Sequence, residues 1–201
     1  MSITLPARRL VLAEVLPAGL TRSGVTILLG TALTALAAQV SFPVPGSPVP
    51  VTGQTFAVLL TAAALGPARG LTSQALYLVL GAVGLPVFAG ATHGPEVIFG
   101  ASGGYLIGFL AASLITGYGA RHGADRSPVR TLLLFALASA VIYAIGTTWL
   151  CLDTGMSVSA GISAGITPFL PGDTVKALLA AGLLPGAWWL AGRSAGSGNA
   201  R

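Results

Sequence analysis

The chain has 201 residues, of which 54% are hydrophobic and only 7% charged, and its mean hydropathy is +0.85. A water-soluble domain carries roughly 25% charged residues, so this composition excludes an ordinary soluble globule and fits lipid as the solvent. The net charge of +5 does not point to nucleic acid, because the ten basic residues are scattered through short segments with no aromatic stacking platforms beside them.

A bilayer core takes about 20 apolar residues of helix, and with that ruler the sequence predicts six transmembrane helices in one domain covering 1–201. Residues 1–23 form a basic N-terminal segment with Arg8, Arg9 and Arg22. The apolar run after it is long enough to stay in the bilayer rather than serve as a cleaved signal. Glu14 and Pro17 interrupt the stretch after Arg8-Arg9, so a cytoplasmic tail is expected there rather than a twin-arginine signal.

The first span is read as Gly24–Phe42. Gly30, Thr34 and Ala38 on it form a small-xxx-small stripe, a candidate interface for a partner subunit or for close packing inside the bundle. The next connection, Phe42 to Thr55, holds four prolines and no charge. Proline denies the backbone helical hydrogen bonds, so an ordered extended loop or cap is expected. Spans two and three, Gln54–Pro67 and Gly70–Pro86, are short and join through Gly66-Pro67-Ala68-Arg69-Gly70, which reads as a tight turn of a helical hairpin. Gln39 and Gln74 are candidates for interhelical hydrogen bonds.

Span four is read as Val97–Tyr118, span five as Arg130–Leu152 and span six as Asp173–Ala191, with 24–192 forming the bundle and 193–201 a flexible Gly/Ser-rich tail. All nine arginines then fall on one side of the six spans, and the other three connections contain no Lys or Arg. Positive residues in short loops stay inside, which places both termini in the cytoplasm. Tyr118, Trp188 and Trp189 read as interfacial anchors at that face.

The outer connections are long, apolar and rich in Pro and Gly, as expected of loops that fold over the helix ends and enclose something. Lys176, the single lysine, opens span six with Asp173 three residues before it on the same helical face. Asp173 suits a helix cap. A lysine in a first turn opposes the helix dipole and is costly near hydrocarbon, so an ionisable residue there marks a functional site. A small carboxylated ligand would give Lys176 a partner. Thr52, Gln54 and Tyr105 are candidates to hydrogen-bond a polar head, and Phe88, Phe99, Phe169 and Trp149 to wall an apolar pocket. Cys151 stands alone and His93 and His122 lie far apart, so no metal site is expected. No phosphate-binding loop, nucleophile elbow or metalloprotease helix is present, so ATP hydrolysis by that route is excluded. The pair Asp173/Lys176 as acid and base of a small intramembrane enzyme is the alternative reading. It lacks a nucleophile or oxyanion donors, and the chain is read as a non-enzyme without cofactors.

Four ordered stretches resemble the BioY family, the biotin-binding S components of energy-coupling-factor (ECF) transporters: residues 48–55 (PVPVTGQT), 84–90 (GLPVFAG), 103–109 (GGYLIGF) and 168–176 (PFLPGDTVK). The resemblance implies an all-α membrane protein, a compact six-helix S-component-like bundle in the bacterial plasma membrane that binds biotin near its outer face. It implies as partners a transmembrane coupling subunit and two cytoplasmic ATPases, with a facilitator acting alone as the variant. It also places Asp173 and Lys176 at the ligand. Before the paired glycines the family more commonly carries Pro-Thr where this chain has Ala101-Ser102, and Ser102 keeps the hydroxyl. Biotin offers a carboxylate for a cation, ureido N–H donors for Asp or Gln, and an apolar body for aromatic walls. The sequence leaves open which end meets Lys176, and the carboxylate is the preferred assignment.

Overall fold

The computed structural model describes residues 10–15 and 20–197. After a short 3-10 turn at Leu12–Val15 the elements run α1 (Leu20–Gln39), β1 (Ser41–Phe42), β2 (Val51–Thr52), α2 (Gln54–Leu65), α3 (Pro67–Ala82), α4 (Pro95–Phe99), α5 (Gly103–Arg121), α6 (Pro128–Thr154), α7 (Val158–Gly165) and α8 (Leu170–Ser197), with two further 3-10 turns at Ala89–Ala91 and Ala124–Arg126. Six helices of 12 to 28 residues therefore make the bundle, as the hydropathy pattern predicts. Among them α5, α6 and α8 up to Ala191 are long and apolar enough to cross a membrane unaided, while α1 and α2 are shorter apolar helices.

Several boundaries depart from expectation. Val97 belongs to α4, and α5 opens at Gly103 after a break at Gly100, whose carbonyl accepts the Trp149 indole N–H at 3.0 Å. The connection between α6 and α8 contains α7, started by Ser157, whose side chain accepts from the Ala160 N–H at its N-cap. The last helix continues to Ser197, past the tail boundary drawn at 193, and the remainder of that tail, like residues 1–9 and 16–19, lies outside the described residues.

Helix α2 has 12 residues, about 18 Å at 1.5 Å per residue, too short for a bilayer core. It follows directly on β2, which pairs antiparallel with β1, Ser41 opposite Thr52 and Phe42 opposite Val51. At the other end Gly66 turns the chain with φ +82°, a left-handed conformation that L side chains rarely adopt, and Pro67 starts α3.

The core is built on Tyr77, Phe88, Phe135, Leu59, Ile142, Leu150 and Leu184, all fully buried. Outward-facing Leu28, Leu29, Leu36, Val79, Leu133, Leu137, Leu178 and Leu183 form the apolar girdle expected of a lipid-facing surface. Gly30, Thr34 and Ala38 are not on that surface, which corrects their assignment as a partner interface. A Cβ at Gly30 would collide with Thr61 of α2 and Ser73 of α3, Ala38 is buried, and Thr34 accepts the Gln74 side-chain N–H at 3.1 Å. The stripe lets α1 approach α2 and α3 closely. Gln39 does bridge elements, donating to the Phe88 carbonyl (3.2 Å) and accepting from the Ala91 N–H (3.0 Å).

The arginine end is closed by the N-terminal turn. Val11 is buried beside Gly66, and Glu14 Oε1 accepts from Arg69 (3.3 Å) and Arg121 (3.2 Å). Arg126 donates to the Leu10 carbonyl at 3.1 Å and stacks 4.2 Å over Trp188. The Trp188 indole N–H donates to buried Asp125 at 2.6 Å, so this tryptophan ties α8 to the α5–α6 turn.

Candidate functional site

A cavity of about 290 Å³ lies at the end of the bundle opposite the arginines. It is enclosed by the β1–β2 connection, the first turns of α2, α5 and α8, the segment between α3 and α5, and α6 at Ile142 and Tyr143. Its size is close to the roughly 300 Å³ at which small-molecule pockets begin. Most of its wall is apolar: Val49, Phe88, Val97, Leu106, Phe109, Ile142 and Phe169. Its polar lining comprises Lys176 with Thr52, Gln54 and Thr55, and separately Thr92, Ser102, Tyr105 and Tyr143.

Thr52, Gln54, Phe88, Ser102, Tyr105 and Lys176 all line this cavity, brought together from sequence positions more than 120 residues apart. Asp173, the seventh candidate, stands behind the wall. Because α8 opens at Leu170, one residue after Phe169 and with Pro171 in its first turn, Asp173 is already inside the helix, its N–H bonded to the Phe169 carbonyl at 2.9 Å. It is therefore not a cap, and its carboxylate is free to organise side chains. Oδ1 accepts from the Thr55 hydroxyl (2.8 Å) and Lys176 Nζ (2.7 Å), and Oδ2 accepts from the Tyr143 hydroxyl at 2.5 Å.

Lys176 uses its other two donors on the Thr52 carbonyl (2.7 Å) and Thr55 Oγ1 (2.8 Å). An ammonium has three N–H bonds, so all three are engaged within the protein. The pair is largely withdrawn from solvent, with side-chain exposures of 18% for Lys176 and 7% for Asp173. A buried ion pair of this kind repays its desolvation only when hydrogen bonds satisfy the remaining lone pairs and protons, which Thr52, Thr55 and Tyr143 do here.

The rest of the wall is fixed by similar bonds. Gln54 accepts from the Thr52 hydroxyl at 2.9 Å and donates to the Tyr77 hydroxyl, which in turn donates to the Val87 carbonyl at 3.2 Å. Phe88 packs edge-on against Tyr77 at 5.4 Å and 82°, in space that exists because residue 81 is glycine. Tyr105 donates to the Gly165 carbonyl at 2.7 Å and stacks on Phe169 at 5.8 Å, and the Tyr143 ring lies tilted against the same phenylalanine at 6.4 Å. Of the remaining aromatic candidates, Phe99 faces outward and Trp149 anchors Gly100, so neither walls the cavity.

Sequence reasoning missed Thr55 and Tyr143. Thr55 follows the Thr52-Gly53-Gln54 stretch directly. Tyr143 has a readable sign, since a phenol in the middle of an apolar span needs a buried partner for its hydroxyl.

The BioY family profile matches residues 8–193 of the chain. The "Probable biotin transporter BioY" of Pyrococcus horikoshii is 40% identical over 154 residues, covering 77% of this chain and 88% of that protein. The biotin transporter BioY of Thermotoga maritima is 37% identical, covering 75% and 86%. Biotin transporter BioY2 of Lactococcus lactis is 35% identical, covering 76% and 82%. The crystal structure of the S-component for biotin from an ECF-type ABC transporter superposes with a TM-score of 0.76 at 24% identity, over 82% of this chain and 89% of that one. That likeness shows the shared fold.

Proposed function

This chain belongs to the BioY family, and on that premise we propose that it is the biotin-binding subunit of a vitamin uptake transporter. It is a multi-pass membrane protein and a transport subunit rather than an enzyme. The observation that carries the reading is the cavity itself, apolar along its length and armed at one side by Lys176, Thr52, Thr55 and Gln54. Such a wall suits a molecule with an apolar body and one neutral polar head. The acid–base alternative finds no support in the pair's geometry, because Asp173 and Lys176 are engaged with each other and with neighbouring groups.

The charge balance of the pair bears on which end of biotin it meets. A carboxylate at Lys176 would place two anions on one cation in a site withdrawn from water, which is expensive in a low-dielectric interior. The ureido group is neutral and carries both donors and acceptors: its carbonyl suits the positive field of the Lys176 ammonium and the second Gln54 N–H, and its N–H groups suit the remaining lone pairs of the Thr52 and Thr55 oxygens, so the pair keeps its own hydrogen bonds. We therefore assign the ureido head to the pair, in place of the carboxylate preferred from sequence, and direct the carboxylate to the mouth, where water solvates it. Arg69, Arg121 and Arg126 all lie at the far end of the bundle, so the positive-inside rule turns the cavity outward and both termini inward. The chain contains no phosphate-binding loop of its own, and the proposed partners are an ECF module of one transmembrane coupling subunit and two ATPases.

Calorimetry on the detergent-purified chain tests this, with biotin, biotin amide and an analogue methylated at the ureido nitrogens. Biotin and its amide are expected within about tenfold of each other, while the methylated analogue loses roughly 100-fold, about 2.8 kcal/mol. Equal losses for amide and methylated analogue would return the carboxylate to Lys176. A folded chain that binds none of the three would show that the ligand is not biotin.

A further inference from the structure

We infer that Tyr143 is a positioning residue of the ligand site, acting through Asp173. This deepens the biotin-binding reading and rests on it for its affinity arm. Three geometric facts carry it. Tyr143 and Lys176 line the cavity whereas Asp173 does not. The Tyr143 hydroxyl is the sole described donor to Asp173 Oδ2, at 2.5 Å, while Oδ1 is taken by Thr55 and Lys176. The Tyr143 ring is itself fixed, buried and packed on Phe169 at 6.4 Å.

The hydroxyl therefore locks the carboxylate plane. With Oδ2 held by α6 and Oδ1 by α2 and Lys176, Asp173 stays behind the wall as a counter-charge and leaves the ammonium at the cavity surface. Without the hydroxyl, Oδ2 becomes a buried carboxylate oxygen lacking a donor, which a protein avoids at the cost of rearrangement. The carboxylate then turns to find another donor and draws Lys176 with it, out of register with the ligand head. Tyr143 thus sets the geometry of the polar head site without donating a hydrogen bond to the ligand, since its one O–H is already spent on Asp173.

The test is a double-mutant cycle of Tyr143→Phe and Asp173→Asn in the full chain. Phenylalanine keeps the ring that packs on Phe169. Tyr143→Phe is expected to weaken biotin by roughly 10- to 100-fold, the range of one hydrogen bond to a charged group, and to add nothing in the Asp173→Asn background. Additive losses, or wild-type affinity in Tyr143→Phe, would overturn the assignment. A second cycle reads thermal midpoints of the ligand-free variants and expects the same non-additivity. Since it needs no ligand, a coupled stability cycle with no biotin binding would sink the ligand assignment alone, whereas an additive one would sink the role of Tyr143.

Discussion

Replacing Lys176 with methionine keeps the length and apolar stem of the side chain and removes three hydrogen bonds of 2.7–2.8 Å at once. What remains is the Asp173 carboxylate, 7% exposed, with only the Thr55 and Tyr143 hydroxyls for company. Removing one partner of a buried ion pair costs about 3–5 kcal/mol, because the surviving charge is left uncompensated. Lys176 retains 18% exposure, so some solvent screening persists and the lower end, about 3 kcal/mol, applies. In a chain of this size that is a fall in thermal midpoint of roughly 6–12 °C. Biotin affinity should fall further than stability alone explains, by roughly 100-fold or more, since the cavity loses its one cationic group and the bonds that fix Thr52 and Thr55 in its wall. The double variant Lys176→Met/Asp173→Asn separates the two effects. It removes the stranded charge and should recover most of the thermal midpoint while leaving binding as weak as in the single variant. Thermal unfolding followed by tryptophan fluorescence, with calorimetry on the same samples, reads both quantities. If Lys176→Met kept wild-type affinity, the lysine would be a structural strut and the cavity's polar wall would have been misassigned.

Two more perturbations probe separate parts of the molecule. A Cβ at residue 81 would overlap the Phe88 ring, which is buried and lines the cavity. Gly81→Ala should therefore push that ring toward the ligand at an overpacking cost of about 1–3 kcal/mol; calorimetry should show a 5- to 100-fold loss, and unchanged affinity would mean that Phe88 is not a wall of the site. At the opposite end, burial holds the Asp125 carboxyl above its ordinary value of 3.8, against the lowering effects of the Trp188 N–H and the nearby Arg126 charge. The folded state then holds this proton more tightly than the unfolded state, so its contribution lowers stability as pH rises from about 4 to the raised value. Thermal midpoints measured across that range should show the decline in the wild-type chain and a flatter profile in Asp125→Asn; identical slopes would refute it.

Much of the bundle is legible because membrane solvation leaves few options. A backbone in hydrocarbon must bond to itself, so long apolar runs mark helices and Pro/Gly clusters mark their ends, as at Gly66-Pro67. What fails is whatever depends on a neighbour rather than on the run itself. The expected start of span four at Val97 follows from an apolar stretch that continues without charge, yet α4 ends at Phe99 because Gly100 adopts an extended backbone, and its carbonyl accepts the Trp149 N–H from α6. The Gly30–Thr34–Ala38 stripe has the right periodicity, but periodicity does not say which helix lies opposite. Its partners, Thr61, Ser73 and Gln74, belong to the same chain.

The candidate site divides along the same line. Asp173 and Lys176 were visible because charges are rare in an apolar sequence and a spacing of three residues puts them on one helical face. Thr55 and Tyr143 carry no charge and meet that pair from α2 and α6, at separations of 118 and 30 residues, so spacing along the chain says nothing of them. The arginines show a related limit. Counting them by side of the membrane orders the topology, but the count treats each as a free positive charge. In the structure Arg69 and Arg121 converge on Glu14, a residue read from sequence only as an interruption of the N-terminal segment. One carboxylate between two guanidiniums leaves a net charge of +1 in that cluster. The same side chains can therefore orient the protein in the bilayer and clamp the α2–α3 turn to α5, closing the end of the bundle opposite the cavity.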